Sequence, residues 1–173
     1  MHSLLDAQRI AQTLDELAGK LAAEITPETE TVLVGIRSRG VPLANRLAAI
    51  LQKKHNCVIP VGSLDITLYR DDLHQRRRWP VVKGTEVPFS IDDRRVILVD
   101  DVLFTGRTVV AALVALADLG RPTSIRLLCL VDRGHRECPV QADYAGITIP
   151  TAPGDRVNVR LTETDEADEV VVL

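Results

Sequence analysis

No stretch of this sequence comes near the run of about eighteen apolar residues that a membrane-spanning helix requires. Met1–Ile10 has neither the basic start nor the apolar core of a secretory signal. Both absences make the cytoplasm the expected compartment and a membrane an unexpected partner. Cysteine is scarce: Cys57, Cys129 and Cys138 are odd in number and lack C-x-x-C spacing, which argues against a disulfide framework and against a zinc site. Cys57 and Cys129 lie in apolar runs and read as small core residues. Positive charge is not in excess, since the formal net charge is −3. That argues against a wholly basic nucleic-acid-binding surface and leaves room for a local patch. Neither a glycine-rich loop ending in G-K-[ST] nor a G-x-G-x-x-G occurs, which removes the two commonest nucleotide fingerprints. What remains is a chain of 173 residues, 46% hydrophobic and 26% charged, with the length and composition of one globular domain able to bury a core.

The stretch Val96–Thr108 organises the rest. Val96–Val99 is a short aliphatic run suited to a strand buried on both faces of a parallel sheet, and Asp100 and Asp101 read as its end. Val109–Leu119 reads as a helix, stopped by Gly120-Arg121-Pro122. Between them lies Thr105-Gly106-Arg107-Thr108. In open α/β sheets, ligands sit beyond the carboxyl ends of the strands, and a helix N-terminus offers free N–H groups to an anion. Gly106 permits a positive φ and a close backbone approach, while the Thr105 and Thr108 hydroxyls add donors. Two carboxylates just upstream repel a phosphate but accept hydrogen bonds from a diol. An isolated acidic pair is better explained as the cap of a surface loop; with the apolar run before it and T-G-R-T after it, that preference reverses and the pattern describes a phosphoribosyl site.

Other segments alternate strand and helix. Residues 3–25 carry Leu4, Ile10, Leu14, Leu17, Leu21 and Ile25 at spacings near three and four, which predicts an amphipathic helix. Thr31–Ile36 reads as a buried strand and Val41–His55 as its crossover helix, with Arg37-Ser38-Arg39-Gly40 between them. That turn suits an oligophosphate met by backbone N–H groups and guanidinium, although arginines in a solvated turn would look the same. Val58–Val61 and Leu64–Leu68 read as extended. The polar segment around Arg76-Arg77-Arg78 and Trp79 shows no period, so residues 69–88 are expected to leave the sheet as a mobile loop, either a lid or a plain surface hairpin. Ser124–Val131 is a further buried strand, followed by Asp132-Arg133-Gly134-His135-Arg136. Ala142–Pro150 and Val157–Leu161 are strand-like, and Val170–Val172 reads as an edge strand. The alternation predicts an α/β fold with a mostly parallel sheet.

Val96–Thr108 resembles the diphosphate-sugar motif of the type I phosphoribosyltransferases. Together with Gly35–Gly40, Leu64–Leu73, Leu130–Pro139 and Ala142–Thr151, it resembles the PyrR family of pyrimidine operon attenuators that are also uracil phosphoribosyltransferases. The resemblance runs from about Leu5 to Val170. It implies a single phosphoribosyltransferase domain with a small hood, formed mainly by residues 132–173. It also implies that Ser38, Arg39 and Gly40 hold pyrophosphate, and that Asp100, Asp101, Val102, Leu103, Phe104, Thr105, Gly106, Arg107 and Thr108 hold the ribose 5-phosphate. Asp100, Asp101, Arg39 and Arg70 would be the catalytic set. Arg133 and the backbone near Val157 would read the base. Magnesium would arrive on phosphoribosyl diphosphate and need few protein ligands. The partners implied are uracil, phosphoribosyl diphosphate, UMP or UTP, a second copy of the chain, and leader RNA, for which His135 and Arg136 are the candidate contacts. The first helix departs from the RNA-binding pattern, with Asp15, Glu16 and Gly19 where basic or hydroxyl residues are expected, and Gly146–Ala152 lacks the family's lysine. Two alternatives stand beside the enzyme reading: an RNA-binding regulator with marginal catalysis, and a phosphoribosyltransferase for another base.

Overall fold

The computed structural model describes residues 2–75 and 83–173. Arg76, Arg77, Arg78 and Trp79, the centre of the expected mobile loop, lie outside the described residues. The elements in chain order are β1 (His2–Leu5), α1 (Ala7–Glu24), β2 (Thr31–Ile36), α2 (Gly40–His55), β3 (Val61–Leu64), β4 (Arg95–Leu103), α3 (Arg107–Leu119), β5 (Ser124–Asp132), β6 (Tyr144–Thr148), β7 (Val157–Arg160), the single turn α4 (Thr162–Asp165) and β8 (Glu169–Val172). None of the described helices is long and apolar enough to cross a membrane.

Five strands form a parallel sheet in the order β3-β2-β4-β5-β6. Because side chains alternate across a strand, each central strand feeds two cores. Ile97 and Val99 of β4 and Leu128 and Leu130 of β5 pack with Leu14, Leu17 and Leu21 of α1 and Leu43, Leu47 and Leu51 of α2. Val96, Leu98, Leu127 and Cys129 face the other way, onto Ala112, Ala115 and Leu116 of α3. Cys129 is therefore the core residue its apolar run implied. The chain leaves β2 through α2 toward β3, then crosses β2 to reach β4, so the strand order reverses between β2 and β4. A crevice opens at the carboxyl ends of strands at such a reversal.

Three sequence expectations are corrected. The first helix does not begin at residue 3: His2–Leu5 is a strand paired with β8, and Asp6 caps α1 by accepting from the Arg9 N–H at 2.8 Å. Strand pairing outweighs the helical spacing of Leu4. Asp100 and Asp101 do not end β4, because its ladder with β5 continues through Val102–Val131 and Leu103–Asp132. Residues 170–172 belong to no edge: β8 is the middle strand of a small antiparallel sheet, β1-β8-β7.

Candidate active site

Two loops meet at the crevice between β2 and β4. The first follows β2. Gly40 is required where α2 starts, since a β-carbon there would lie 2.3 Å from the Val99 carbonyl oxygen and 3.4 Å from the Asp100 Cα. The Arg37–Ser38 peptide is cis. Arg37 donates through Nε to the Gly84 carbonyl at 2.8 Å and through Nη2 to Ser63 Oγ at 3.1 Å. Lys83 Nζ donates to Ser38 Oγ at 3.1 Å. Arg39 forms a two-point ion pair with Asp165 of α4, at 2.7 and 3.1 Å. That partner holds the Asp165 carboxyl well below the ordinary carboxylate range.

The second loop follows β4. Asp100 is 7% exposed, and its Oδ1 accepts the Asp101 N–H at 2.9 Å, while Asp101 Oδ1 accepts the Val102 N–H at 2.8 Å. Burial, then the charge of Asp101, pushes the Asp100 carboxyl well above its usual value. Next, Gly106 has φ 88° and stands as N-cap of α3 with no side chain of its own to cap the helix; the Thr105 hydroxyl accepts the Arg107 N–H at 3.3 Å. A left-handed residue with no β-carbon turns the backbone there, leaving first-turn N–H groups open to an anion. The turn is fixed from behind: the Thr105 carbonyl accepts the Glu137 and Cys138 N–H groups at 2.8 and 3.0 Å. Arg107 points outward and pairs with Asp71 and Glu137, both at 2.7 Å.

These loops line two adjoining cavities of about 280 and 400 Å3 that share Arg70, Asp100, Val102 and Thr108. The smaller runs along Leu103–Val109 and reaches Asp71 and Asp72; the larger is bounded by Ile36–Arg39, Ile66, Thr67 and Asp101. The structure thus brings together Ser38, Arg39, Arg70 and Asp100–Thr108, with Gly40 beneath them. Arg70 pairs with Asp72 at 2.8 and 2.9 Å.

The residues expected to read a base or RNA lie off these cavities. Arg133 is 5% exposed and donates to Thr151 Oγ1 (3.2 Å), the Asp155 carbonyl (2.8 Å) and the Ala152 carbonyl (3.0 Å). Its link to the cavity is Phe104, over whose ring its guanidinium lies. Val157 opens β7 opposite Val172. His135 Nε2 is bonded to the Thr151 carbonyl at 2.6 Å, and the Arg136 guanidinium donates to Val140, Phe104 and Gly134 carbonyls and to Asp132. The α1 acid Asp15 is paired with Lys54 at 2.7 Å.

Sequence reasoning missed Lys83, Asp65 and Asp165; it placed Arg37 in a phosphate-binding turn, where the guanidinium instead donates to Gly84 and Ser63. Asp65 is buried and accepts the N–H groups of Thr67, Lys83 and Gly84 at 2.9, 2.6 and 2.9 Å, so one carboxylate gathers both ends of the segment that leaves the sheet. Burial alone would raise its pKa; those bonds outweigh it and lower it. No spacing rule joins residues 65 and 83. Among the described residues no group of three or more His, Cys, Asp and Glu side chains could hold a metal alone. The hard oxygen donors at the crevice include Asp100 and Asp101, which fit a Mg2+ that completes its shell with oxygens from a bound ligand.

The family model for the phosphoribosyl transferase domain matches residues 1–164. A Bifunctional protein PyrR from Chloroflexus aurantiacus is 57% identical over 165 residues, covering 95% of this chain and 87% of the relative. The Bifunctional protein PyrR of Deinococcus deserti is 51% identical over 168 residues, 97% of this chain and 92% of its own. Among solved structures, the hypoxanthine phosphoribosyltransferase of Trypanosoma cruzi superposes with TM-score 0.74 and 19% identity, over 100% of this chain and 96% of that one. HGPRT-ase from Leishmania tarentolae, in complex with GMP, superposes with TM-score 0.71 and 21% identity, over 99% and 95% of the two chains. At that identity the likeness concerns the fold.

Proposed function

This chain belongs to the phosphoribosyl transferase family, in its PyrR group, and on that premise we propose that it is a uracil phosphoribosyltransferase, converting uracil and phosphoribosyl diphosphate to UMP and pyrophosphate. The observation that carries this reading is the crevice itself. A helix N-terminus at Gly106–Thr108, begun by a glycine that cannot cap it, and the pair Asp100–Asp101 line the same connected space as Ser38 and Arg39. The 5-phosphate would lie against the α3 N-terminus and the Thr105 and Thr108 hydroxyls, with Val102–Arg107 walling that end. The ribose diol would meet Asp100 and Asp101, and the diphosphate the Ser38–Gly40 loop. Uracil N1 would give up its proton to the departing diphosphate or to solvent and bond to ribose C1 as the bond from C1 to the diphosphate oxygen breaks, through a cation-like sugar. Arg39 and Arg70 would receive the charge of the departing diphosphate, so that orientation and electrostatics supply most of the acceleration. Magnesium, when bound to the donor, supplies positive charge to the leaving oxygens.

Phe104, backed by Arg133, offers a ring beside the sugar site for the base to pack on, with the β7 edge near Val157 as the source of backbone hydrogen bonds. Residues 132–173, which hold β7 and β8, would act as the hood, and 69–88 as a loop that closes over the reacting centre. A phosphorylated, charged donor places the reaction in the cytoplasm, and a homodimer or higher homo-oligomer is the proposed assembly. The test is uracil-dependent pyrophosphate release, run beside hypoxanthine, guanine and orotate. Turnover with uracil alone supports the reading, and no release with uracil removes it.

The relatives' name, Bifunctional protein PyrR, favours a second role, regulation of pyrimidine genes through UMP-dependent binding of leader RNA. In this chain the Arg136 and His135 side chains are engaged by their own loop, so the proposed RNA contact would use the surface around them, with Arg121, Arg126 and Arg156 extending a patch. Filter binding at two salt concentrations, with and without UMP, tests it; binding indifferent to UMP and to RNA sequence removes it.

A further inference from the structure

Asp165 was silent in the sequence, one acid in a mostly acidic stretch. In the structure it holds an arginine of the proposed diphosphate loop. Arg39 Nε reaches Asp165 Oδ2 at 3.1 Å and Nη2 reaches Oδ1 at 2.7 Å. This contact uses the side of the guanidinium. Among the described residues nothing bonds its far end, Nη1 with the second Nη2 proton, which is therefore open to another oxyanion, because a guanidinium carries five donors in a fixed plane. The carboxylate is itself immobilised: Oδ2 also accepts the Leu161 N–H at 3.1 Å and the Thr164 hydroxyl at 2.6 Å. Arg39 lines the larger cavity together with Ser38, Asp100 and Asp101.

Docking of α4 does not depend on this pair. Two turns further along α2, Arg46 donates to both Glu163 oxygens, at 2.8 and 2.6 Å, and to both Asp168 oxygens, at 2.9 and 2.8 Å. That clamp fastens the same acidic segment away from the crevice. The Arg39–Asp165 contact therefore has a location, at the crevice, that a purely structural clamp would not need.

We propose that Asp165 is a positioning residue: it grips the Arg39 guanidinium by its side so that the free end meets the diphosphate of the donor, tying the diphosphate loop to the small antiparallel sheet. The inference rests on the phosphoribosyl transfer proposed above. Two effects oppose each other when Asp165 is neutralised. A negative charge is removed from the neighbourhood of an anion, which favours binding, and a long side chain is set loose, which disfavours it. The charge is already compensated by the arginine it touches, whereas an untethered arginine must be ordered at the moment of binding. The second effect dominates.

The experiment is calorimetric titration of magnesium pyrophosphate and of phosphoribosyl diphosphate into the full chain, with Asp165→Asn, Arg39→Lys and the double variant. Asp165→Asn weakens both ligands roughly fivefold to tenfold, and in the uracil assay raises KM for the donor more than it lowers kcat. The thermal midpoint changes little because the Arg46 clamp remains. In the Arg39→Lys background the second change adds less than about twofold, since lysine cannot make a side-on fork. Asp165→Ser substitutes if Asp165→Asn does not fold. Equal or tighter binding by Asp165→Asn, or the same loss in both backgrounds, overturns the inference. Wild-type protein indifferent to phosphoribosyl diphosphate overturns the proposed function along with it.

Discussion

The guanidinium carbon of Arg133 lies 4.0 Å from the centroid of the Phe104 ring, well within the reach of about 6 Å over which a cation is attracted to a ring face. Phe104 walls the smaller cavity, and the three acceptors of Arg133 all belong to residues 151–155. One buried side chain therefore sutures the C-terminal segment to the wall of the crevice.

Arg133→Lys keeps the charge and loses both the planar contact and the fan of hydrogen bonds. Unsatisfied carbonyls at Ala152 and Asp155 are expected to cost about 2 kcal/mol, seen as a fall of several degrees in the thermal midpoint. In the uracil assay KM for uracil rises more than KM for phosphoribosyl diphosphate. An equal rise in both would show that the contact serves the fold and not the base.

Asp100 makes stability depend on pH in a stated direction. Its folded-state pKa is raised, chiefly by burial and then by Asp101, so the protonated form is the one the fold favours. The contribution is complete below about pH 4, where the unfolded group is also protonated, and is lost as pH climbs through the raised value. Asp100→Asn carries no such cost. The midpoint of the variant minus that of the wild type should be smallest near pH 4 and grow in the variant's favour toward neutrality. Its turnover should fall by about a hundredfold or more. A pH-independent difference in midpoint would remove burial of the charge as the cause.

Gly106→Ala meets two obstacles. A left-handed φ of 88° costs an alanine about 1–2 kcal/mol, and its β-carbon would sit 2.3 Å from Val140 Cγ2. Lower stability and a rise of about tenfold in KM for phosphoribosyl diphosphate are expected. Adding Val140→Ala relieves the crowding alone; stability that returns in full would assign the whole cost to crowding.

Asp65→Asn replaces an acceptor oxygen by an NH2 facing backbone donors. Hydrogen exchange at the Thr67, Lys83 and Gly84 amides should accelerate about tenfold, with the β4 and β5 amides unchanged. Because bonding lowers the Asp65 pKa despite burial, the wild type should show the same local loosening as pH falls through that lowered value. Unaltered exchange at Gly84 would contradict the anchoring role.

How much of this was legible beforehand follows from which interactions are local. Val96–Thr108 announced strand, acids, turn and helix in order because each part is dictated by its own residues: aliphatic run, Gly106, alanine-rich face. The carboxylates Asp65 and Asp165 were invisible because their partners stand at residues 83 and 39, a distance only the topology closes. Leu4 misled for the same reason: its spacing suited α1, and the pairing of its strand with β8 was settled by residues near the other end of the chain. Arg39, Arg133 and Arg136 were recognised as cations, but their occupancy by Asp165, Ala152 and Asp132 could be read only from coordinates.

The pairing of β1 with β8 carries a consequence for biosynthesis. Every strand of the parallel sheet has been synthesised once Thr148 is made, so the crevice between β2 and β4 can assemble before the chain is finished. The three-stranded sheet must wait for residues 169–172, and His2–Leu5 stays without its partner until then. During translation the walls of the crevice would form before the small sheet and before Asp165, the partner of Arg39, is in place.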